Sequence, residues 1–430
     1  MEDRLPDTAA PQPKPLRIAI AGLGTVGAGV IRLLDTNATL IAARAGRPIE
    51  VVAVSARDRS KDRGVDIARF AWEDDMTALA RRDDIDVVVE LVGGSDGPAL
   101  ALSRAALTGG KGLVTANKAM VAHHGLELAQ LAEAAGVPLK FEAAVGGGIP
   151  ILRSLANGLN ANSIESIFGI LNGTTNYILT GMSRDGLEYR KVLSKAQKLG
   201  YAEADPSSDV SGRDALNKIT ILARLAFGVV LDVDNVYCEG IENVSIQDIE
   251  YAGKLGYTVK LLAIAKRHPD NRVEARVHPT LVPSDSIMAY VEDEFNAIEI
   301  CGDAVGREIF YGKGAGMMPT ASAVVSDCVD IAKLIGSGSL SDINRHLPVN
   351  DTPSLVNIEE LRLKYYLRFT ARDEAGVLAQ ISRIFADENI SNELSPTQGS
   401  GYHVDAPMRV NTRKVFDQIH PRRKHRGIQD

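Results

Sequence analysis

Short apolar runs that alternate with amphipathic stretches dominate the first third of the chain. The first run begins at Leu16, reads LRIAIAGLG and ends in glycines, which is typical of a buried parallel strand. Residues 25–34 then place apolar side chains at helical spacing. Further apolar segments predict strands over 49–54, 86–91, 113–115 and 139–142, with a helix near 125–135. This alternation predicts a Rossmann-type doubly wound α/β domain over residues 16–145.

The pattern changes at the three glycines of 146–148, after which long helical patterns mix with short strands. The run TVKLLAIAKR at 258–267 suits either a strand or a buried helix, because periodicity does not separate the two. We therefore predict an α+β catalytic and dimerisation domain over 146–310. Residues 311–340 are predicted to form a glycine turn and a long amphipathic helix that returns to the first domain.

The two ends of the chain differ from its middle. Residues 1–15 hold four prolines and no apolar stretch, which predicts a disordered leader. Residues 341–362 are polar and contain Pro348 and Pro353, which indicates a linker. Beyond it, residues 365–370 predict a strand and residues 377–388 a helix.

Composition and charge narrow the class of protein. The formal net charge is −7, so the chain lacks the basic excess of a nucleic-acid-binding protein. No apolar run reaches the length of a membrane-spanning helix. The three cysteines show no metal-type spacing, which favours reduced thiols and a cytoplasmic location.

A G-x-G-x-x-G motif directly follows the first predicted strand and opens the first predicted helix, the context that dinucleotide binding requires. It is formed by Gly22, Leu23, Gly24, Thr25, Val26 and Gly27. Gly22 would permit the tight turn, Gly24 the close approach of a pyrophosphate, and Gly27 close packing of helix on strand. The alternative is an ordinary glycine turn.

The end of the second predicted strand bears on which dinucleotide binds. NAD enzymes usually carry an acidic residue there, whereas this segment reads Val-Ser-Ala and then Arg57. A guanidinium can pair with a 2′-phosphate, so the sequence favours NADP. NAD stays possible, because Asp58 follows immediately and Arg57 could simply be exposed to solvent.

Three further charged residues are candidates for chemistry. Lys118 follows a predicted strand at the carboxyl edge of the sheet, where ligands bind in such folds. Asp214 and Lys218 are four residues apart on a predicted helix and therefore share one face. That helix is strongly apolar, which favours a charge pair in a cleft over a surface ion pair, although a surface position for Lys118 stays open.

Six motifs in order give the chain its family resemblance, which covers about residues 16–330. They are GLGTVG (22–27), TANKA (115–119), EAAVGGGIPI (142–151), LNGTTNYI (171–178), GYAEADPSSDVSGRDALNK (200–218), and YGKGAG with PTASAVVSD (311–327). The chain resembles homoserine dehydrogenase, which reduces L-aspartate 4-semialdehyde to L-homoserine with NAD(P)H in threonine, methionine and isoleucine biosynthesis.

The resemblance implies roles for individual residues. Lys118 is expected beside the nicotinamide as proton donor or relay, and Glu203 at the substrate's ammonium group. Asp214 and Lys218 should hold the substrate's carbonyl side, and Gly314 should return to the cofactor. A monovalent cation, usually sodium in this family, is expected at Glu142, Val145, Gly147 and Ile149. Homodimers or homotetramers are expected, with residues 255–265 in the pairing region.

Charge explains why two lysines suit this reaction. Hydride addition to the aldehyde carbon leaves negative charge on the carbonyl oxygen, which a cation or a proton must neutralise. Mutual repulsion between two lysines should depress the pKa of at least one of them. Aspartate semialdehyde dehydrogenase is a poor alternative, because none of the three cysteines lies in the setting of a nucleophile. A catalytically silent NADP-binding regulator is disfavoured by the intact set of charged residues.

The carboxyl end resembles an incomplete ACT domain, the ferredoxin-like regulatory unit often appended to this family. Its first half matches over 361–391, but residues 395–430 hold only nine apolar residues and seven Lys or Arg against three Asp. Residues 402–410 alternate like a strand, yet Pro407 interrupts them. We therefore predict that residues 363–430 form a degenerate domain with a largely disordered tail, and that threonine inhibits weakly or not at all.

Overall fold

The computed structural model describes residues 13–337, 353–361, 363–370, 375–387, 393–396 and 401–408. Its strands are β1 (Leu16–Ala21), β2 (Ile49–Ser55), β3 (Ala71–Trp72), β4 (Val87–Glu90), β5 (Gly112–Thr115), β6 (Leu139–Lys140), β7 (Ile164–Ile170), β8 (Tyr237–Cys238), β9 (Tyr257–Arg267), β10 (Val273–Pro283), β11 (Phe295–Gly302), β12 (Gly306–Lys313), β13 (Leu363–Thr370), β14 (Glu393–Pro396) and β15 (Gly401–Met408). Its helices are α1 (Thr25–Thr36), α2 (Ala38–Ala45), α3 (Pro98–Thr108), α4 (Lys118–Ala135), α5 (Ile151–Arg153), α6 (Gly173–Asp185), α7 (Tyr189–Leu199), α8 (Ser207–Val210), α9 (Arg213–Phe227), α10 (Ile246–Lys254), α11 (Met317–Ser337) and α12 (Val377–Asp387).

The first sheet has six parallel strands in the order β3-β2-β1-β4-β5-β6. The chain order reverses between β1 and β4, and the crevice at such a switch point is where doubly wound sheets bind ligands. The predicted Rossmann-type fold is therefore confirmed. Most boundaries differ by one or two residues, but α4 begins at Lys118 rather than near residue 125. The reason is that the Asn117 side chain accepts a hydrogen bond from Met120 N and caps the helix.

Helix α11 comes from late in the chain but packs in the core of this first sheet. Ala321, Val324 and Ile331 are buried in one cluster with Ile18 and Val30 of β1 and α1. Gly29 of α1 makes this approach possible, because a Cβ there would lie 2.8 Å from Met317 Cγ. The segment between them in sequence, residues 146–310, is thus flanked by two parts of the chain that pack together in the first domain.

The second sheet also has six strands, in the order β12-β11-β7-β9-β10-β8. The ambiguous apolar run around 258–267 is strand β9, which pairs antiparallel with β10 over its whole length. It lies inside the sheet, and buried side chains of α6, α9 and α10 cover one face. Helix α9 therefore packs on this sheet, while Asp214 in its first turn contacts Lys118 of the first domain.

A third sheet, in the order β13-β15-β14, follows the linker. The prediction that residues 395–430 are largely disordered is wrong for Gly401–Met408, which form β15 and pair with all of β13. Pro407 is tolerated because β14 pairs only with residues 402–405, so the proline has one strand neighbour. Predictions for residues 1–12, 338–352, 397–400 and 409–430 lie outside the described residues.

Within the described ranges, no single helix is long and apolar enough to cross a membrane. The pair α1 and α2 meets that length only when counted together across an 84° bend.

Candidate active site

The glycine-rich loop lies at the carboxyl end of β1, next to the switch point. Gly22 has φ +99°, and a Cβ there would meet Leu91 O at 2.6 Å, so both conformation and space require glycine. A Cβ on Gly27 would collide with Gly22 O, whereas one on Gly24 would meet nothing within 4 Å. Gly24, the N-cap residue of α1, has no side chain to cap the helix, so the first amide groups of α1 can bind an anion. The loop therefore fits a dinucleotide pyrophosphate.

Two arginines lie near this loop. Arg57 follows β2 and is exposed. Arg63, which the sequence reasoning did not single out, donates from Nε to Leu23 O at 3.0 Å. Its guanidinium, which is partly buried, therefore contacts the loop itself, whereas Arg57 is open to solvent.

Lys118 and Lys218 both contact the carboxylate of Asp214. Lys118 Nζ lies 2.6 Å from Asp214 Oδ1, and Lys218 Nζ donates to Asp214 Oδ2 at 2.7 Å and to Leu171 O at 2.6 Å. The Asp214 and Lys218 side chains are only 3% and 8% exposed, whereas that of Lys118 is 42% exposed. Of the three side chains, that of Lys118 is therefore the most exposed to a ligand that approaches the cluster.

The charges in this cluster shift one another's proton affinity. Burial alone would raise the pKa of Asp214, but the charges of Lys218 and Lys118 outweigh it and hold that pKa well below its usual range. The charge of Asp214 raises the pKa of Lys118. Burial lowers the pKa of Lys218, and the charge of Lys118 adds to that shift. The cluster thus holds an ionised carboxylate between two unlike lysines.

Asp209, Asn172 and Thr174 form a polar layer around Asp214 that the sequence reasoning missed. Asn172 Nδ2 donates to Asp214 Oδ2 at 2.9 Å and to Asp209 Oδ1 at 2.7 Å. The Thr174 hydroxyl donates to Asp209 Oδ2 at 3.0 Å. Asp209 stands in the acid-rich segment of 200–218, which was a usable signal, but its partners come from α6 and its N-cap and are visible only in the fold.

Glu203 lies at the rim of the same cleft and is exposed. Its backbone carbonyl accepts a hydrogen bond from Gln197 Nε2, and its charge, together with that of Asp209, helps to raise the pKa of Lys118. The mouth of the cleft is therefore acidic, which suits a substrate with an ammonium group.

The glycine run of 146–148 lies against the turn that contains Gly314. A Cβ on Gly147, whose φ is +53°, would meet Gly314 O at 2.5 Å. The Ile149 carbonyl accepts one hydrogen bond from Ile151 N, and the Glu142 carbonyl accepts one from Val145 N. The Glu142 side chain instead accepts from Leu152 N and Arg153 N.

Two buried polar side chains line this region and were also missed. Asp327 is 2% exposed and accepts a hydrogen bond from Glu142 N. Burial and the nearby Glu142 raise its pKa to about 7. The Asn296 side chain packs under Gly314, and neither of its polar atoms has a hydrogen-bond partner among the described residues.

Comparison with known proteins gives one consistent result. Residues 22–142 match the family model described as homoserine dehydrogenase, NAD binding domain, and residues 150–329 match that of homoserine dehydrogenase. The homoserine dehydrogenase of Pseudomonas aeruginosa is 44% identical over 94% of this chain and 93% of its own, and that of Corynebacterium glutamicum is 44% identical over 87% and 84%. The crystal structure of a homoserine dehydrogenase from Thiobacillus denitrificans superposes with a TM-score of 0.89 at 41% identity and covers 96% of each chain.

Proposed function

The chain belongs to the homoserine dehydrogenase family, and from that premise we propose how its own residues interconvert L-aspartate 4-semialdehyde and L-homoserine. It is an NAD(P)-dependent oxidoreductase of this family. One observation carries the residue assignment: Asp214 holds a lysine on each of its oxygens, beside the cleft of the dinucleotide domain. Loss of NADPH absorbance on addition of aspartate semialdehyde tests the activity, and a silent NADP-binding regulator would show none.

Lys118 is the residue that stabilises and protonates the reacting oxygen. A bound reduced dinucleotide would supply hydride for the aldehyde carbon, and the ammonium of Lys118 would neutralise and protonate the oxygen on which negative charge develops. The ammonium of Lys218 is too enclosed to exchange protons freely with solvent. We therefore assign it a different role, in which its charge keeps Asp214 ionised and in place. Asp214 in turn fixes Lys118 and holds it charged until the proton is transferred.

A monovalent cation, which the family resemblance indicates to be sodium, is proposed at the backbone carbonyls of Glu142, Val145, Gly147 and Ile149. Carbonyl oxygens suit a hard cation. Next to the Gly314 turn, Asn296 Oδ1 has no hydrogen-bond partner among the described residues and is an oxygen that a bound cation or a water would satisfy. The cation would stiffen the loop that joins the cofactor and catalytic domains.

Glu203 is proposed to bind the substrate's ammonium group. Glu203→Gln is expected to raise the KM for aspartate semialdehyde about tenfold while lowering kcat much less, because the contact is equally strong in the ground and transition states. Steady-state kinetics measure both constants. Glu188→Gln is a matched control at the exposed start of α7 and should leave both unchanged. An unaltered KM in Glu203→Gln would remove this role.

Arg57 is proposed to pair with the 2′-phosphate of NADP, which the chain is expected to prefer over NAD. Arg57→Ala should weaken NADPH binding about tenfold and spare NADH, as expected for the loss of one charge-assisted pair. Binding titrations with both dinucleotides measure the ratio. Arg63→Ala shows whether the neighbouring arginine shares the task, and an equal loss for both dinucleotides would exclude Arg57.

Self-association is proposed to involve the second sheet. Strand β9 itself is largely buried within the chain, so we place the pairing surface beside it rather than on it. Ile287, Tyr290 and Tyr311 are 64%, 72% and 58% exposed near the far face of this sheet. Light scattering is expected to show a species of at least twice 46.0 kDa, and Tyr290→Glu should shift it toward the monomer. Leu40→Glu, on an exposed site of the cofactor domain, is the control. A monomer at micromolar concentration would contradict the proposal.

A further inference from the structure

Glu90 is a buried carboxylate that the reaction as described does not use. It is the last residue of β4, is 0% exposed, and stands at the carboxyl edge of the cofactor sheet. Its Oε1 accepts hydrogen bonds from Val92 N at 2.7 Å and Gly93 N at 3.1 Å, and its Oε2 accepts from the Thr115 hydroxyl at 2.5 Å. Removing a carboxyl group from water is costly even when neutral donors satisfy it, so its burial calls for a specific reason.

The hydrogen bonds continue from Glu90 into the start of α4. The Thr115 oxygen accepts from Asn117 N at 3.0 Å. The Asn117 side chain donates to Gly94 O at 2.7 Å and accepts from Met120 N at 3.1 Å. The loop after β4, the end of β5 and the first turn of α4 are therefore tied into one network around a single carboxylate.

Each end of this network reaches a part of the proposed site. On one side, the loop after β4 backs the glycine-rich loop, because a Cβ on Gly22 would lie 2.6 Å from Leu91 O and 3.1 Å from Val92 N. On the other side, the first residue of α4 is Lys118, whose ammonium lies 2.6 Å from Asp214. The network thus spans the distance between the dinucleotide loop and the lysine that meets the substrate.

We propose that Glu90 is a positioning residue that fixes where the glycine-rich loop and Lys118 lie relative to each other. The inference rests on the role proposed for Lys118. Glutamine would present an NH₂ group to Thr115, whose oxygen already accepts Asn117 N, and the Thr115 hydroxyl would lose its acceptor. The link between the two loops would then loosen without a change in side-chain volume.

The experiment compares Glu90→Gln and Thr115→Val with two controls. Thr115→Ser keeps the hydroxyl and should retain activity. Asp86→Asn alters a carboxylate that directly precedes β4, at the amino edge of the sheet. There Asp86 accepts a hydrogen bond from Arg17 N at 2.8 Å. Glu90→Gln and Thr115→Val are each expected to lower kcat about 10-fold to 10²-fold, the range for a small misplacement of reacting groups, and to raise the KM for NADPH. The KM for aspartate semialdehyde should stay nearly constant.

A second readout separates positioning from stability. With NADPH deuterated at the transferred hydrogen, the isotope effect on kcat should increase in Glu90→Gln and Thr115→Val, because a misaligned hydride transfer becomes rate-limiting. Asp86→Asn should lower the melting temperature without changing that isotope effect. If Glu90→Gln does not fold, Thr115→Val decides by the same measurements.

The outcomes distinguish this inference from the proposed function. If Lys118→Ala is inactive while Glu90→Gln and Thr115→Val keep kcat and the NADPH KM within about twofold of the wild-type values, only the positioning role is overturned. If Lys118→Ala retains turnover, the role of Lys118 fails, whatever Glu90 does.

Discussion

Lys118→Ala is expected to lower kcat for aspartate semialdehyde reduction at least about 10²-fold, the usual loss when one positioned acid or charge stabiliser is removed. The reason is that Lys118 is the accessible member of the cluster on Asp214, with a side chain 42% exposed toward the cleft against 8% for Lys218. Dinucleotide binding should be nearly unchanged, because the glycine-rich loop is untouched. Turnover kinetics and an NADPH titration on the same preparation measure the two quantities.

Three variants sharpen this test. Lys118→Arg keeps the charge but hardly releases a proton, so it should recover little of the lost turnover. Lys218→Ala should also lose about 10²-fold or more, through the loss of the charge that holds Asp214. Lys111→Ala is the matched control, because Lys111 precedes the same strand β5 at its opposite end and donates to Ile85 O. Wild-type turnover in either Lys118→Ala or Lys218→Ala would exclude that lysine from catalysis.

Asp214→Asn is expected to cost at least as much turnover and to alter its pH dependence. The carboxylate raises the pKa of Lys118, so the protonated donor persists to higher pH in the wild type. Without it the pKa of Lys118 falls, and the alkaline limb of kcat for the reduction should move to lower pH. Lys218, whose pKa burial already lowers, would lose its counter-charge and become neutral more readily. A pH series of single-turnover rates measures the shift.

The stability of this variant provides an independent check. A group whose pKa is raised in the folded protein contributes stability below its ordinary pKa, and that contribution disappears as the pH rises through the raised value. The Lys118–Asp214 pair should therefore stabilise the wild type at neutral pH and lose this effect in alkali. Asp232→Asn, which alters the cap of a short 3-10 turn beyond α9, is the control for the stability measurement.

The kinetic result decides the coupling between Asp214 and Lys118. If the alkaline limb of kcat does not move in Asp214→Asn, the coupling is refuted.

The cofactor half of the site could be predicted from the sequence because its determinants are local. One strand, a glycine turn and one helix follow each other within residues 16–36, and their pattern predicts both the fold and a helix terminus suited to an anion. The i, i+4 spacing likewise placed Asp214 and Lys218 on one helical face, and their Nζ and Oδ2 atoms are 2.7 Å apart. Strand β9 could not be assigned in this way, since an apolar run carries no period of its own when both faces of the element are buried.

What the sequence by itself determined about this protein was thus its Rossmann-type domain, its family through six ordered motifs, and the residue types from which a charged site could be built. Only the tertiary structure decided that Lys118 and Lys218 share one carboxylate, since α4 and α9 belong to different domains and no local pattern relates them. The tertiary structure also decided that Glu90 is buried and hydrogen-bonded, whereas the sequence shows it only as the end of an apolar strand. Whether a buried carboxylate is tolerated depends on donors from distant loops, and those loops meet only when the sheet has formed.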